Sequence, residues 1–150
     1  MSPAFIKGAQ ENFPKAPITF DKFHVINAVN DAVDQVRRNE QKNCLDLKNT
    51  RYVWLKNESN LTKKQNETLD RLKDYHLDTA KAYRMRVSLQ EIYQYPSEVA
   101  PMVLHDWIQW GLRYRLQPMV DVAKMIKTHY TGIIQWLTSK LNNGVTAKLK

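Results

Sequence analysis

Cysteine occurs once in this chain, at Cys44, so no internal disulfide is available and a disulfide-stapled secreted scaffold is excluded. Glycine is scarce, at four residues, and no glycine-rich loop is present to cradle a phosphate. No apolar run approaches the roughly 20 residues that a membrane-spanning helix needs. The opening Met1-Ser2-Pro3-Ala4-Phe5-Ile6-Lys7-Gly8 is too short and mixed for a signal peptide, so a cytoplasmic protein is expected. His24, His76, His105 and His129 are scattered with no second histidine at a zinc-ligand spacing, which argues against a zinc site. Acidic residues number 15 against 23 lysines and arginines, a net charge of +8 with a pI near 9.6. That balance favours polyanionic partners, nucleic acid first and an anionic membrane second.

What is present reads as helix. The 150 residues suit one domain or part of a larger one, and 43% are hydrophobic, enough for a real core. Six prolines punctuate the chain, and between them apolar residues recur at intervals of three and four. The pattern predicts a short helix over about Pro3 to Asn12 and a break at Phe13-Pro14-Lys15-Ala16-Pro17. Ile18-Thr19-Phe20 is the best strand candidate, being β-branched and aromatic after a turn. A helix follows from Lys22 to about Lys42, with Val25, Ile26, Val29, Val33 and Val36 inward and Asn27, Asp31, Asp34 and Arg38 opposite. Tyr52-Val53-Trp54-Leu55 fits either a short strand or a helical turn. Thr62 and Gln65 form a capping-box signature for a helix to about Tyr75. Another helix is expected from Asp78 to Tyr95, with Ala82, Met85, Leu89 and Ile92 on one face. Ser97 or Glu98 opens the next, packed through Leu104, Trp107, Ile108 and Gly111. One last long helix should start at Pro118, and Asn142-Asn143-Gly144 reads as its stop. The sum is about six helices and one short strand.

Asp21 is the sharpest chemical candidate. A carboxylate at a strand end just before a helix suits metal binding in nucleases and nucleotidyl transferases, where two Mg²⁺ ions stabilise the attacking and leaving oxygens of a phosphodiester. The plainer reading is a helix N-cap, a role aspartate favours. His24 lies one turn on and could bond near the same place. Cys44 has no positioned histidine and reads as structural. Basic residues gather at Arg37-Arg38, at Lys63-Lys64, at Lys81, Arg84 and Arg86, and at Arg113-Tyr114-Arg115. The last two groups interleave cations with tyrosine, which suits phosphate contacts with base stacking. Each cluster also fits a solvated helix face. Trp107 and Trp110 read as core or interface residues.

Three stretches of the chain resemble one known family. They are Met1 to Gly8 with Phe13-Pro14 and Ile18-Thr19-Phe20-Asp21-Lys22-Phe23-His24-Val25; Thr50-Arg51-Tyr52-Val53-Trp54-Leu55-Lys56-Asn57 with Ala80-Lys81-Ala82-Tyr83-Arg84; and Trp107-Ile108-Gln109-Trp110-Gly111-Leu112-Arg113. Together they are similar to the DDE domain of insertion-sequence transposases of the ISL-three group. The resemblance implies a ribonuclease-H-like catalytic core with three acidic residues holding two divalent ions, Mg²⁺ by expectation. Asp21 then matches the second catalytic aspartate and metal ligand. The first would lie upstream of Met1. The third acid is expected near Ala147, yet no acidic residue follows Asn143.

The expected fold is therefore mainly α, a bundle-like domain carrying a remnant of a ribonuclease-H-like α/β core near its N-terminus. Residues 1–24 would be the core remnant, 25–141 the helical region and 142–150 a tail. The expected function is that of a DDE-transposase fragment, incomplete for DNA cleavage and strand transfer, with transposon-end and target DNA as partners. Homodimerisation through the unpaired 18–20 strand is a further expectation. Two rivals stand beside it: a non-catalytic DNA-binding or regulatory module, and a helical scaffold whose tryptophan faces meet partner proteins.

Overall fold

In a computed structural model of the chain, residues 21–75 and 77–149 are described, with side chains through residue 139. They form seven α-helices and two single-turn 3₁₀ segments, with no strand among the described residues. The helix predicted at 3–12, the 18–20 strand and the ribonuclease-H-like remnant fall outside the described residues, or almost wholly so.

Helix α1 runs Lys22–Gln41. Its first turn is closed by Asp21, whose side chain accepts from the Phe23 N–H at 2.8 Å. Val25, Val29, Ala32, Val33 and Val36 are buried along it. Asp34 is buried as well, a correction to its predicted place on the solvent face. Two helices, α4 (Asp78–Ile92) and α6 (Gln117–Thr128), pack on α1, so more than one stripe of its circumference is covered. The buried carboxylate is tolerated because Arg37 bonds it at 2.9 Å.

After α1, a 3₁₀ turn at Leu45–Leu47 leads into α2, Arg51–Leu55. The ambiguous Tyr52–Leu55 cluster is therefore helical. Asn49 reaches a φ of 61°, a left-handed conformation that asparagine tolerates better than most residues. Trp54 of α2 is wholly buried, and its indole N–H donates to Thr50 Oγ1 at 3.1 Å. A second 3₁₀ turn, Glu58–Asn60, precedes α3, Lys63–Leu72. Both capping-box bonds between Thr62 and Gln65 are made, at 3.1 and 3.0 Å.

The core lies among α1, α4, α5 (Ala100–Arg113) and α6, with α2 packed on α1 and α4, and α3 on α2. Ala82, Met85, Leu89 and Ile92 of α4 are all buried, as are Leu104, Trp107, Ile108 and Gly111 of α5. Helix α5 opens at Ala100 rather than at Ser97 or Glu98, and Pro101 sits in its first turn, where no N–H is needed. The predicted last helix is two helices. Helix α6 ends at Thr128, His129 leaves helical geometry at φ −104° and ψ 23°, and α7 runs Tyr130–Leu149. The break falls in Thr128-His129-Tyr130-Thr131-Gly132-Ile133-Ile134, a run of β-branched, aromatic and glycine residues with poor helix propensity. Conversely, α7 continues through Asn142-Asn143-Gly144. A glycine inside a helix costs only about 1 kcal/mol relative to alanine, so it need not end one.

Candidate nucleic-acid interface

The predicted basic residues divide into those the fold consumes and those it presents. Arg37 is consumed. It is 7% exposed, and besides Asp34 it donates to Gln41 Oε1 at 2.8 Å and to the Leu47 carbonyl at 3.3 Å. Arg86 is consumed too, at 1% exposure. Its Nε donates to the Trp54 carbonyl at 2.8 Å and its Nη2 to the Lys56 carbonyl at 3.1 Å. These acceptors lie at the C-terminal end of α2, where helix carbonyls lack intrahelical donors and the dipole favours a cation. Both arginines are corrections to the list of surface phosphate contacts. Their positions on α1 and α4 place them against neighbouring helices, which the cluster pattern in the sequence does not register.

Arg38, Lys81, Arg84, Arg113 and Arg115 remain at the surface. Arg84 is exposed and donates to the Lys73 carbonyl at 2.8 Å, just past the end of α3. Lys81 lies one turn earlier on α4, 4.0 Å from Asp78. Tyr114 caps α5 and stands close enough to Arg84 and Asp78 to feel both charges. Burial pushes its hydroxyl pKa up, with Arg84 acting in the opposite direction. Tyr114, between Arg113 and Arg115 in the chain, is thereby placed near Arg84 and Asp78 of α4. Trp110 meets Tyr114 edge to face, with ring centroids 6.0 Å apart. Arg84, Lys81 with its Asp78 partner, and Lys73, ion-paired with Asp70 at 3.1 Å, thus lie in the region of the Tyr114 and Trp110 rings, a pairing of cations and aromatics that suits phosphates and stacked bases.

A second cationic spot surrounds Asp34. Arg38 Nε lies 3.3 Å and Arg51 Nε 3.9 Å from its Oδ2, while Arg37 holds Oδ1. Three arginines share one carboxylate, so the group keeps net positive charge. Arg38 and Arg51 are exposed, and Arg51 stands 5.5 Å from the ring of exposed Tyr52. Neither Arg51 nor Lys73 is predicted from sequence clustering. Arg51 joins its group through the packing of α2 on α1, and Lys73, two residues after Arg71, meets Arg84 through its carbonyl at the end of α3.

Asp21 is placed as the α1 cap, with Oδ1 engaged by Phe23. Among the described residues, no three histidine, cysteine, aspartate or glutamate side chains are grouped to hold a metal ion. The described donor set thus does not by itself fit a two-metal centre. Glu40 is a structural carboxylate that sequence reasoning missed. From the end of α1 it accepts from Asp78 N–H at 2.7 Å, Thr79 N–H at 2.9 Å and Thr79 Oγ1 at 2.7 Å. It caps α4 from 38 residues away, where the local residue, Leu77, has no side-chain acceptor.

The fold and surface define an all-helical assembly, among the described residues, with clustered exposed cations. A model of ISL3-type DDE proteins, described as "Transposase", matches residues 1–147, and the chain belongs to that transposase family. It is 30% identical over 99 residues to the transposase for insertion sequence element IS1557 of Mycobacterium tuberculosis, covering 66% of this chain and 22% of that protein. It is 23% identical over 154 residues to the transposase for insertion sequence element IS1001 of Bordetella parapertussis, covering 97% of this chain and 38% of that protein. The chain therefore spans well under half the length of either relative. No solved structure matches. Among the described residues, no helix is long and apolar enough to cross a membrane.

Proposed function

We propose that this chain supplies helical packing and DNA-contacting surfaces to insertion-sequence transposition, and that DNA cleavage and strand transfer draw on carboxylates beyond Asp21. The observation that carries this reading is the set of surface cations Lys81 and Arg84 on α4 and Arg113 and Arg115 flanking Tyr114, which Arg84 approaches, in a member of a transposase family. Phosphate contacts from such cations position a duplex without reading its sequence. Divalent metal, Mg²⁺ by expectation from the family, would supply charge stabilisation for phosphodiester chemistry when held by a full set of carboxylates. Asp21 does separate work on the present geometry, satisfying an orphan N–H at the start of α1.

Two substitutions separate cap from ligand. Asparagine caps helices as well as aspartate does, whereas it is a poor replacement for a metal-bridging carboxylate. Asp21→Asn should leave the thermal midpoint within about 1 °C, and Asp21→Ala should lower stability by about 1 kcal/mol. With Mg²⁺ or Mn²⁺ added, the 150-residue chain should not nick supercoiled duplex DNA. Robust nicking that disappears in Asp21→Asn would overturn the reading and restore Asp21 as a catalytic carboxylate.

A further inference from the structure

Arg86 presents an imbalance that its structural role leaves unresolved. Two arms of its guanidinium are held by neutral carbonyls of α2, yet Nη1 is buried with no hydrogen-bond partner. No carboxylate among the described residues pairs with it. A buried charge without a counter-ion is costly, and native proteins normally pair such groups. Burial accordingly lowers the Arg86 pKa. Tyr83 offers only its ring face, 5.5 Å from the guanidinium carbon.

This side chain lines a groove of about 650 Å³ between α1, α4 and the 3₁₀ turn at Glu58–Asn60. Asn30, across the groove on α1, has a buried Oδ1 that also lacks a partner. A cationic donor and a neutral acceptor, on helices facing each other across the groove, are thus both unsatisfied. Lys22 adds a second cation at the rim, and Phe23, 72% exposed, adds an aromatic face. Gln90 supplies a jointed amide, bonded weakly to Asn57 at 3.5 Å. Two features oppose an anion: Glu58 and Glu91 also line the groove, and both are exposed.

The geometry points to a binding groove for a phosphate-bearing ligand, anchored by Arg86 and Lys22, with Asn30 accepting from the ligand's hydroxyl or amino group. A phosphate oxygen is a suitable partner for a guanidinium arm because charge-assisted bonds are short and strong. Nη1 has almost no exposed surface, so binding requires local movement of the side chains that line the groove. Two sources carry such a phosphate: a free ion or nucleotide, and the backbone of a single DNA strand. The inference rests on the DNA reading for the second source only, since orthophosphate would fill the groove without it.

The test uses the whole chain and three probes: orthophosphate, a ten-nucleotide single strand of thymidine, and a 20-base-pair duplex. Removing Arg86 would strip α2 of its carbonyl partners, so the informative variants are Asn30→Asp and Glu58→Gln. Asn30→Asp sets a carboxylate into the groove, on the wall facing α4, and should weaken single-strand binding at least tenfold. Glu58→Gln removes a repelling charge and should tighten it about threefold. Duplex affinity should change less than twofold in both. Orthophosphate that displaces the single strand competitively identifies the free ion as sufficient; a strand that resists displacement identifies the nucleic-acid backbone. Single-strand and phosphate affinity unmoved by both variants, or no binding of either probe at millimolar concentration, overturns the groove. Loss of duplex binding alone, with the groove effects intact, would instead count against the DNA surface on α4 and α5.

Discussion

At the scale of single residues, charged groups in this chain do two different kinds of work, and burial separates them. Arg38, Arg84, Arg113 and Arg115 project to solvent, whereas Arg37 and Arg86 are spent on bonds inside the fold. The sequence marks all of these as basic clusters and does not mark which side of a helix meets a neighbour. Glu40 shows the same limit, since its partners lie 38 and 39 residues away. Its carboxylate satisfies two backbone donors at the start of α4, and charged hydrogen bonds of this kind contribute more than neutral ones. Glu40→Ala should therefore destabilise the chain by about 2–3 kcal/mol, and Glu40→Gln by roughly half as much, because an acceptor oxygen remains. Urea unfolding followed by circular dichroism measures both. A change below about 0.5 kcal/mol in Glu40→Ala would show that water or Asp78 replaces the cap.

At the scale of elements, periodicity carried most of the information. The inward faces of α1, α4 and α5 follow their three-and-four spacing, and the α3 cap follows from Thr62 and Gln65. Boundaries set by weak propensity were less legible. The α6–α7 break at His129 has no proline or glycine at the break itself, so an unbroken stripe of Met119, Val122, Ile126, Ile133 and Leu137 conceals it. Asn142-Asn143-Gly144 gives the opposite error, a stop signal inside α7. Gly111 lies on the sequence-predicted packing face, and the reason it must be glycine is tertiary. A β-carbon there would stand 2.7 Å from the Ala123 β-carbon of α6, which cannot swing away. Gly111→Ala gains about 1 kcal/mol of helix propensity, while overpacking costs about 1–3 kcal/mol. The net result should be a lower melting temperature, partly restored by Ala123→Gly in the double variant. A stabilised Gly111→Ala protein would mean that α5 and α6 stand farther apart than described.

At the scale of the whole molecule, a helical core built on α1, α4, α5 and α6 carries surface cations on α4 and at the α5–α6 turn, with Tyr114 of that turn close to Arg84. The family resemblance was legible in the sequence because its motifs are contiguous runs, and the family match over residues 1–147 bears it out. The surface was legible only in part, because Lys73 and Arg51 join it through folding. The most direct test is the affinity of the chain for a 20-base-pair duplex across a series of salt concentrations. Each phosphate neutralised contributes about −0.9 to the slope of log affinity against log salt, so about three to five contacts from these cations predict a slope of roughly −3 to −4.5. Replacing Arg113 and Arg115 by glutamine should make that slope shallower by about 2 without changing the melting temperature. Affinity that is insensitive to salt, or a slope that the two substitutions leave unchanged, would contradict the account.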